Sequence, residues 1–156
     1  MLLLAGKRWS AEIDASIGYA FDRRYAQHDD PVVAGISGAV WDVRGHTGFV
    51  RAGYAPNDRW QLDIAYALRR GDVVATTHPY YAIFMASGAI AASHAFGPNF
   101  FDYRLRGTTQ TGNGTLSYAL DDRSSLNFAY AYAFTRAAQD LEYRNHLISA
   151  SWVYRY

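Results

Sequence analysis

The sequence predicts an all-β fold of antiparallel, up-and-down strands, on three observations. First, the C-terminal region alternates: Leu126, Phe128, Tyr130, Tyr132 and Phe134 share one parity, and Asn127, Ala129, Ala131, Ala133 and Thr135 the other. Ile148, Ala150, Trp152, Tyr154 and Tyr156 then alternate with Leu147, Ser149, Ser151, Val153 and Arg155. Period two sends successive side chains to opposite faces of a strand. Second, one phrase recurs in GKRWSAEIDASIGYAF, NDRWQLDIAYALRR and DDRSSLNFAYAYAFTR: a polar turn with a basic residue, then large apolar side chains alternating with small or polar ones. Third, 13 Tyr and 4 Trp stand beside 13 Gly, a strand-rich composition.

Six strands follow, over roughly 9–22, 46–55, 59–70, 102–120, 125–136 and 145–156. In the first, Trp9, Ile13, Ile17, Tyr19 and Phe21 oppose Ser10, Glu12, Asp14, Ser16 and Asp22. In the third, Trp60, Leu62, Ile64, Tyr66 and Leu68 oppose Gln61, Asp63, Ala65, Ala67 and Arg69. Pro56, Asn57 and Asp58 supply turn chemistry, and a hairpin about Asn57 puts Tyr54 opposite Trp60 and Arg51 opposite Asp63. A hairpin about Asp122 puts Tyr118 beside Leu126 and Leu116 beside Phe128. A final hairpin through 137–144 pairs Tyr132 with Ala150, Tyr130 with Trp152 and Phe128 with Tyr154. Segments 31–43 and 80–96 are apolar and rich in Ala and Gly, and each reads as a strand or an ordered loop. Counting both gives eight strands. The repeats are too unevenly spaced for a solenoid.

The 156 residues form one domain, 1–156. A net charge of +1 gives no electrostatic case for nucleic acid. Absence of Cys excludes disulfide scaffolds and thiolate metal sites. No apolar run reaches the ~18 residues of a transmembrane helix. The opening MLLLAGKRW lacks a basic n-region, and its apolar run is shorter than the ~7–15 residues of a signal peptide. It is read as following a removed leader or as the start of a fragment that lacks N-terminal strands.

Alternation alone leaves open which face meets water. A soluble ligand-binding barrel turns its aromatic face inward and coats its exterior with charge. Here the opposite face is Ala, Gly, Ser, Asn, Gln and Thr with scattered charges, a poor coat but a good lining for a narrow hydrated interior. The apolar stripe from Leu126 to Phe134 suits a tilted membrane strand of ~9–11 residues. Trp9, Tyr54, Trp60, Trp152, Tyr154 and Tyr156 fall near strand ends beside short turns, where an aromatic girdle sits. Glu12, Asp14, Arg51, Asp63 and Arg69 become interior charges. Tight turns at 56–58 and 121–124, against longer connections at 23–45, 71–101 and 137–144, match the two unequal rims of a transmembrane β-barrel.

The terminal HLISASWVYRY resembles the terminal-aromatic β-signal of Gram-negative outer-membrane β-barrels. With the DRW/DRS…YAL/YAF strand openings, the chain looks like the C-terminal strands of a porin-like or opacity-like barrel. The resemblance implies residence in the bacterial outer membrane, contact with outer-membrane lipid, and handling by the barrel assembly machinery.

Catalytic readings are weighed on geometry. His46 beside Thr47, His94 beside Ser93, and His146 near Ser149 suggest nucleophile–base pairs, but His146 and Ser149 are three apart and face opposite ways. His28, Asp29 and Asp30 suggest a cation site, yet read as a turn-rich loop because no further spaced ligand accompanies them. Glu12 and Asp14 suggest paired carboxylates, yet fit an interior charge ladder with Arg51, Asp63 and Arg69. The stretch 107–115 has no Lys and no following helix, so it is not a phosphate cradle. The expectation is a non-enzymatic structural or porin-like barrel without cofactors. With eight strands side chains fill the lumen; in a larger ring the same polar face lines a channel. The alternatives are an outer-membrane lipid-modifying enzyme, of lipid A deacylase or acyltransferase type, and a soluble ligand-binding barrel.

Overall fold

The computed structural model describes residues 1–25, 36–93 and 95–155. Its strands are β1 (Leu2–Arg8), β2 (Ile13–Arg23), β3 (Arg44–Asn57), β4 (Trp60–Thr77), β5 (Ala89–Ala92), β6 (Phe101–Asp121), β7 (Ser124–Ala137) and β8 (Glu142–Tyr154). A short helix α1 (Tyr81–Ala86) precedes β5, and a 3-10 turn, Ala138–Asp140, joins β7 to β8. All strands belong to one antiparallel sheet in the order β1-β2-β3-β4-β6-β7-β8. β5 pairs with Phe101–Arg104 of β6, beside the position that β7 holds further down. The sheet is open. β1 and β8 do not pair among the described residues, and both run from the loop edge to the turn edge.

Strand composition differs from the sequence expectation in instructive ways. Alternation runs through Trp9, Ala11 and Ile13 without a break, which suggested a strand beginning at residue 9. Instead Ser10 Oγ accepts the N–H groups of Glu12 and Ile13, each at 3.1 Å, and turns the chain there. Residues 2–8, read as lying ahead of the strands, therefore form β1 and pair Leu2 with Ala20 through Arg8 with Asp14. Of segment 31–43, residues 31–35 lie outside the described residues and 36–43 are not strand. Segment 80–96 supplies α1 and the short β5 rather than a full strand.

Two of the three expected registers are corrected. In the β3–β4 hairpin, Asn57 pairs with Trp60, and its Oδ1 accepts the N–H groups of Arg59 and Trp60 at 3.0 and 3.1 Å. A bulge then separates Asn57 from Tyr54, which pairs with Leu62. Pro56 sits in that bulge, because it has no N–H to give a ladder. Arg51 is consequently opposite Ala65, and Asp63 opposite Gly53. At the last hairpin the connection is tight, with Gln139 and Asp140 at φ 63 and 55°, so Arg136 pairs with Glu142. Tyr130 then meets Ile148, and Trp152 meets Leu126. The β6–β7 register is as expected, Tyr118 with Leu126 and Leu116 with Phe128.

Because a two- or four-residue slip preserves parity, the division of faces holds across every strand. Among the described residues the close-packed apolar clusters lie at the loop edge. Ile83 of α1 packs with Ile90, Tyr103 and Leu105 on one side of the sheet. Val40 packs with Ala89, Ala91 and Val74 on the other. The middle of the sheet has nothing stacked on it among the described residues.

Candidate functional site

The small-residue face is where charged side chains converge. Two of them lie flat over glycines of the next strand: a Cβ at Gly53 would meet Asp14 Oδ1 at 2.7 Å, and one at Gly45 would fall among the Arg69 guanidinium atoms; the uncharged Phe49 ring covers Gly18 in the same way. A cavity of about 730 Å³ at the turn edge is lined from Glu12 through Gln61 and Ser117 to Asn127.

The five charges assigned to it are not one network. Glu12 sits in the β1–β2 turn, and its carbonyl accepts the Ala55 N–H at 2.8 Å. Asp14 rests on Gly53. Arg51 stands 5.7 Å over the Phe49 ring of its own strand. Asp63 accepts a hydrogen bond from Gln61 Nε2 at 2.8 Å. Among the described residues only Arg69 of the five makes a long-range ion pair, reaching Asp22 at 3.3 Å while donating to the Asp72 carbonyl at 2.9 Å. Asp22 was placed on this face by the sequence but not among its charge partners.

The opposite face is apolar and exposed. Cross-strand rows climb it from the turn edge, beginning with Trp60, Tyr118, Leu126 and Trp152. The Trp60 and Tyr118 rings are 4.4 Å apart, and those of Trp152 and Tyr154 6.0 Å apart. Tyr54 and Trp9 stand at the same edge, Trp9 on the β1–β2 turn and exposed; Tyr156 lies outside the described residues. Above them Ile17 and Ile148 are 62% and 81% exposed. A groove of about 500 Å³ on it runs between Trp9, Ile64 and Tyr66. Near its upper limit Tyr130 and His146 Nδ1 share a hydrogen bond of 2.8 Å, and Tyr19 pairs likewise with His46. Beyond that the rows turn polar, with Arg70, Thr108, Arg136 and Glu142 in register.

None of the proposed catalytic pairs is assembled among the described residues. His46 and Thr47 are consecutive in β3 and point to opposite faces, as do His146 and Ser149 of β8. His94, and the His28, Asp29 and Asp30 group, lie outside the described residues. Among the described residues no three His, Asp or Glu side chains converge on a point.

Sequence reasoning missed a concentration of charge among the described residues. At the loop edge a cavity of about 380 Å³ is lined by Arg23, Arg24, Arg44, Arg104 and Arg106, with Asp42 and Asp72. Arg104 spans it, donating to the carbonyls of Ala39 and Asp42 at 2.9 and 2.7 Å and of Gly88 at 3.3 Å. Asp72 accepts the Arg44 N–H at 3.1 Å and faces Arg106 Nε at 3.7 Å. The signal available was Arg-Arg at 23–24 and Arg-x-Arg at 104–106, each flanking a long connection.

Titration is perturbed at both edges. The Arg123 N–H, aided by the Ser124 hydroxyl, holds the Asp121 carboxyl below the usual range. The Asp140 carboxylate raises Arg136. Burial pushes the Tyr103 phenol up, partly offset by a main-chain hydrogen bond from Tyr80.

Comparison with protein-family models, curated proteins and solved structures gives no match.

Proposed function

We propose that the chain forms part of the wall of a bacterial outer-membrane β-barrel, with a structural or porin-like role. The observation that supports this reading is the exposed apolar band, which starts at the Trp60–Tyr118–Leu126–Trp152 row and gives way to Arg70, Thr108 and Arg136. From Trp60 to Leu68 or Leu126 to Phe134 the band suits the ~9–11 residues of a tilted membrane strand. In water such a surface promotes aggregation, whereas hydrocarbon covers it at no cost. The polar face then lines the interior, where both signs of charge argue against strong selection of one ion sign. The open edges fit the same reading only when paired, because an unpaired backbone group in hydrocarbon costs several kcal/mol.

Cysteine scanning of protein refolded into lipid tests the reading. Ile64, Tyr130 and Ile148 substituted by Cys are expected to react with a lipid-soluble maleimide, and Asp63, Asn127 and Ser149 with a water-soluble one. Rapid reaction of Ile64→Cys and Ile148→Cys with the water-soluble reagent would sink the membrane reading.

A further inference from the structure

We propose that the arginine cavity at the loop edge is a binding site for a phosphate-bearing anion. Five of the chain's 15 basic residues line this one cavity against two carboxylates, although the whole chain carries only +1. Arginine guanidinium groups stay charged at every accessible pH and match phosphate oxygens in paired, planar hydrogen bonds. Five such residues around a space of about 380 Å³ offer an entering anion several donors from different strands.

The cavity is built rather than incidental. Arg104 is held by three main-chain carbonyls, so it fixes the connection 36–43 and the α1–β5 turn as two walls. β2 is tied to the opposite wall by the Arg24 N–H to the Val43 carbonyl at 2.8 Å. Arg23 is steadied by the Tyr25 ring, 4.5 Å from its guanidinium carbon. Arg106, with 75% of its side chain exposed, is free to swing from Asp72 towards a ligand, while Asp72 itself is only 11% exposed. Asp72 therefore serves as the resident counter-anion that a phosphate displaces from Arg106. The site stands on these residues alone and does not depend on the membrane reading.

Two probes separate the sources of such a group. Inorganic pyrophosphate is titrated calorimetrically into protein held in a zwitterionic detergent, and separately the protein is mixed with neutral nanodiscs with or without phosphatidylglycerol. Binding of pyrophosphate assigns a soluble phosphate ligand; binding of the phosphatidylglycerol discs alone assigns a lipid headgroup. In either case Arg24→Gln/Arg106→Gln is expected to weaken binding at least about tenfold, since charge-assisted hydrogen bonds are lost. Arg24→Lys/Arg106→Lys, which keeps charge and guards against a folding defect, is expected to fall between. Asp72→Asn is expected to tighten binding, and Arg59→Gln at the turn edge to leave it unchanged. No binding of either probe at millimolar concentration, or equal binding by the Gln double variant and the wild type, overturns the proposal.

Discussion

Arg69 of β4 reaches Asp22 of β2 across the whole width of β3, passing over Gly45, to make a 3.3 Å ion pair. The two strands are not neighbours in the sheet; the pair exists because β3 presents no side chain at that point. A Cβ on Gly45 would lie 2.4 Å from Arg69 Nη2 and nearly as close to Cζ and Nε. The guanidinium would have to lift off the sheet. Gly45→Ala is therefore expected to abolish the pair. A double-mutant cycle on Arg69→Gln and Asp22→Asn should give coupling of about 1 kcal/mol, modest because both groups are partly solvated. In the Gly45→Ala background the same cycle should give none. Equal coupling in both backgrounds contradicts this role for the glycine.

The register of the last hairpin is a second prediction. Tyr130→Cys paired with Ile148→Cys should be bridged within reach of a short crosslinker. Tyr130→Cys paired with Trp152→Cys should not, since four residues along a strand separate them by roughly 13 Å. Preferential crosslinking of the second pair would restore the sequence-derived register.

Asp121 makes the β6–β7 turn sensitive to acid. Its folded pKa is depressed, first by the Arg123 N–H and then by the Ser124 hydroxyl, so its contribution to stability is complete above the unfolded Asp value of about 3.9. It is lost as pH falls through the lower, folded value. Asp121→Ala should thus have a lower urea midpoint than wild type at neutral pH, and the gap should close in strong acid. A gap constant from pH 7 down to pH 2 would show that the ionised form is not what matters.

Removal of residues 152–156 should abolish insertion into membranes. It takes away the pairings of Trp152 with Leu126, Val153 with Ser125 and Tyr154 with Ser124, together with the Arg155 N–H to the Arg123 carbonyl at 2.8 Å. Trp152→Ala alone should only reduce insertion. The measure is folded yield in membrane fractions from cells given an added signal peptide. Normal yield from the deletion would contradict the role given to this edge.

What was legible in the sequence was parity, and parity needs only alternation. That is why Asp14, Arg51, Asp63 and Arg69 share a face although Arg51 and Asp63 are not opposite one another. Register depends on turn detail: Pro56, read as part of the turn, sits instead in the bulge that moved Tyr54 from Trp60 to Leu62, and no signal fixed the length of the 138–141 turn. The start of β2 was hidden because Trp9, Ala11 and Ile13 keep the strand rhythm through a turn set by one Ser10 hydroxyl. The arginine cavity was hidden by averaging, since its members run from Arg23 to Arg106 and the net charge of +1 conceals their convergence.

The two outer strands of the sheet, β1 and β8, point the same way. A cylinder whose neighbours all alternate in direction has an even number of staves, and this path has seven. Bending it until β8 meets β1 creates one seam of parallel partners, with slanted and slightly weaker hydrogen bonds. Copies related by rotation about a membrane normal would repeat that parallel seam at every junction. A fully alternating cylinder that contains this sheet instead has an odd number of further strands between β8 and β1, the first and last of them running from turn edge to loop edge.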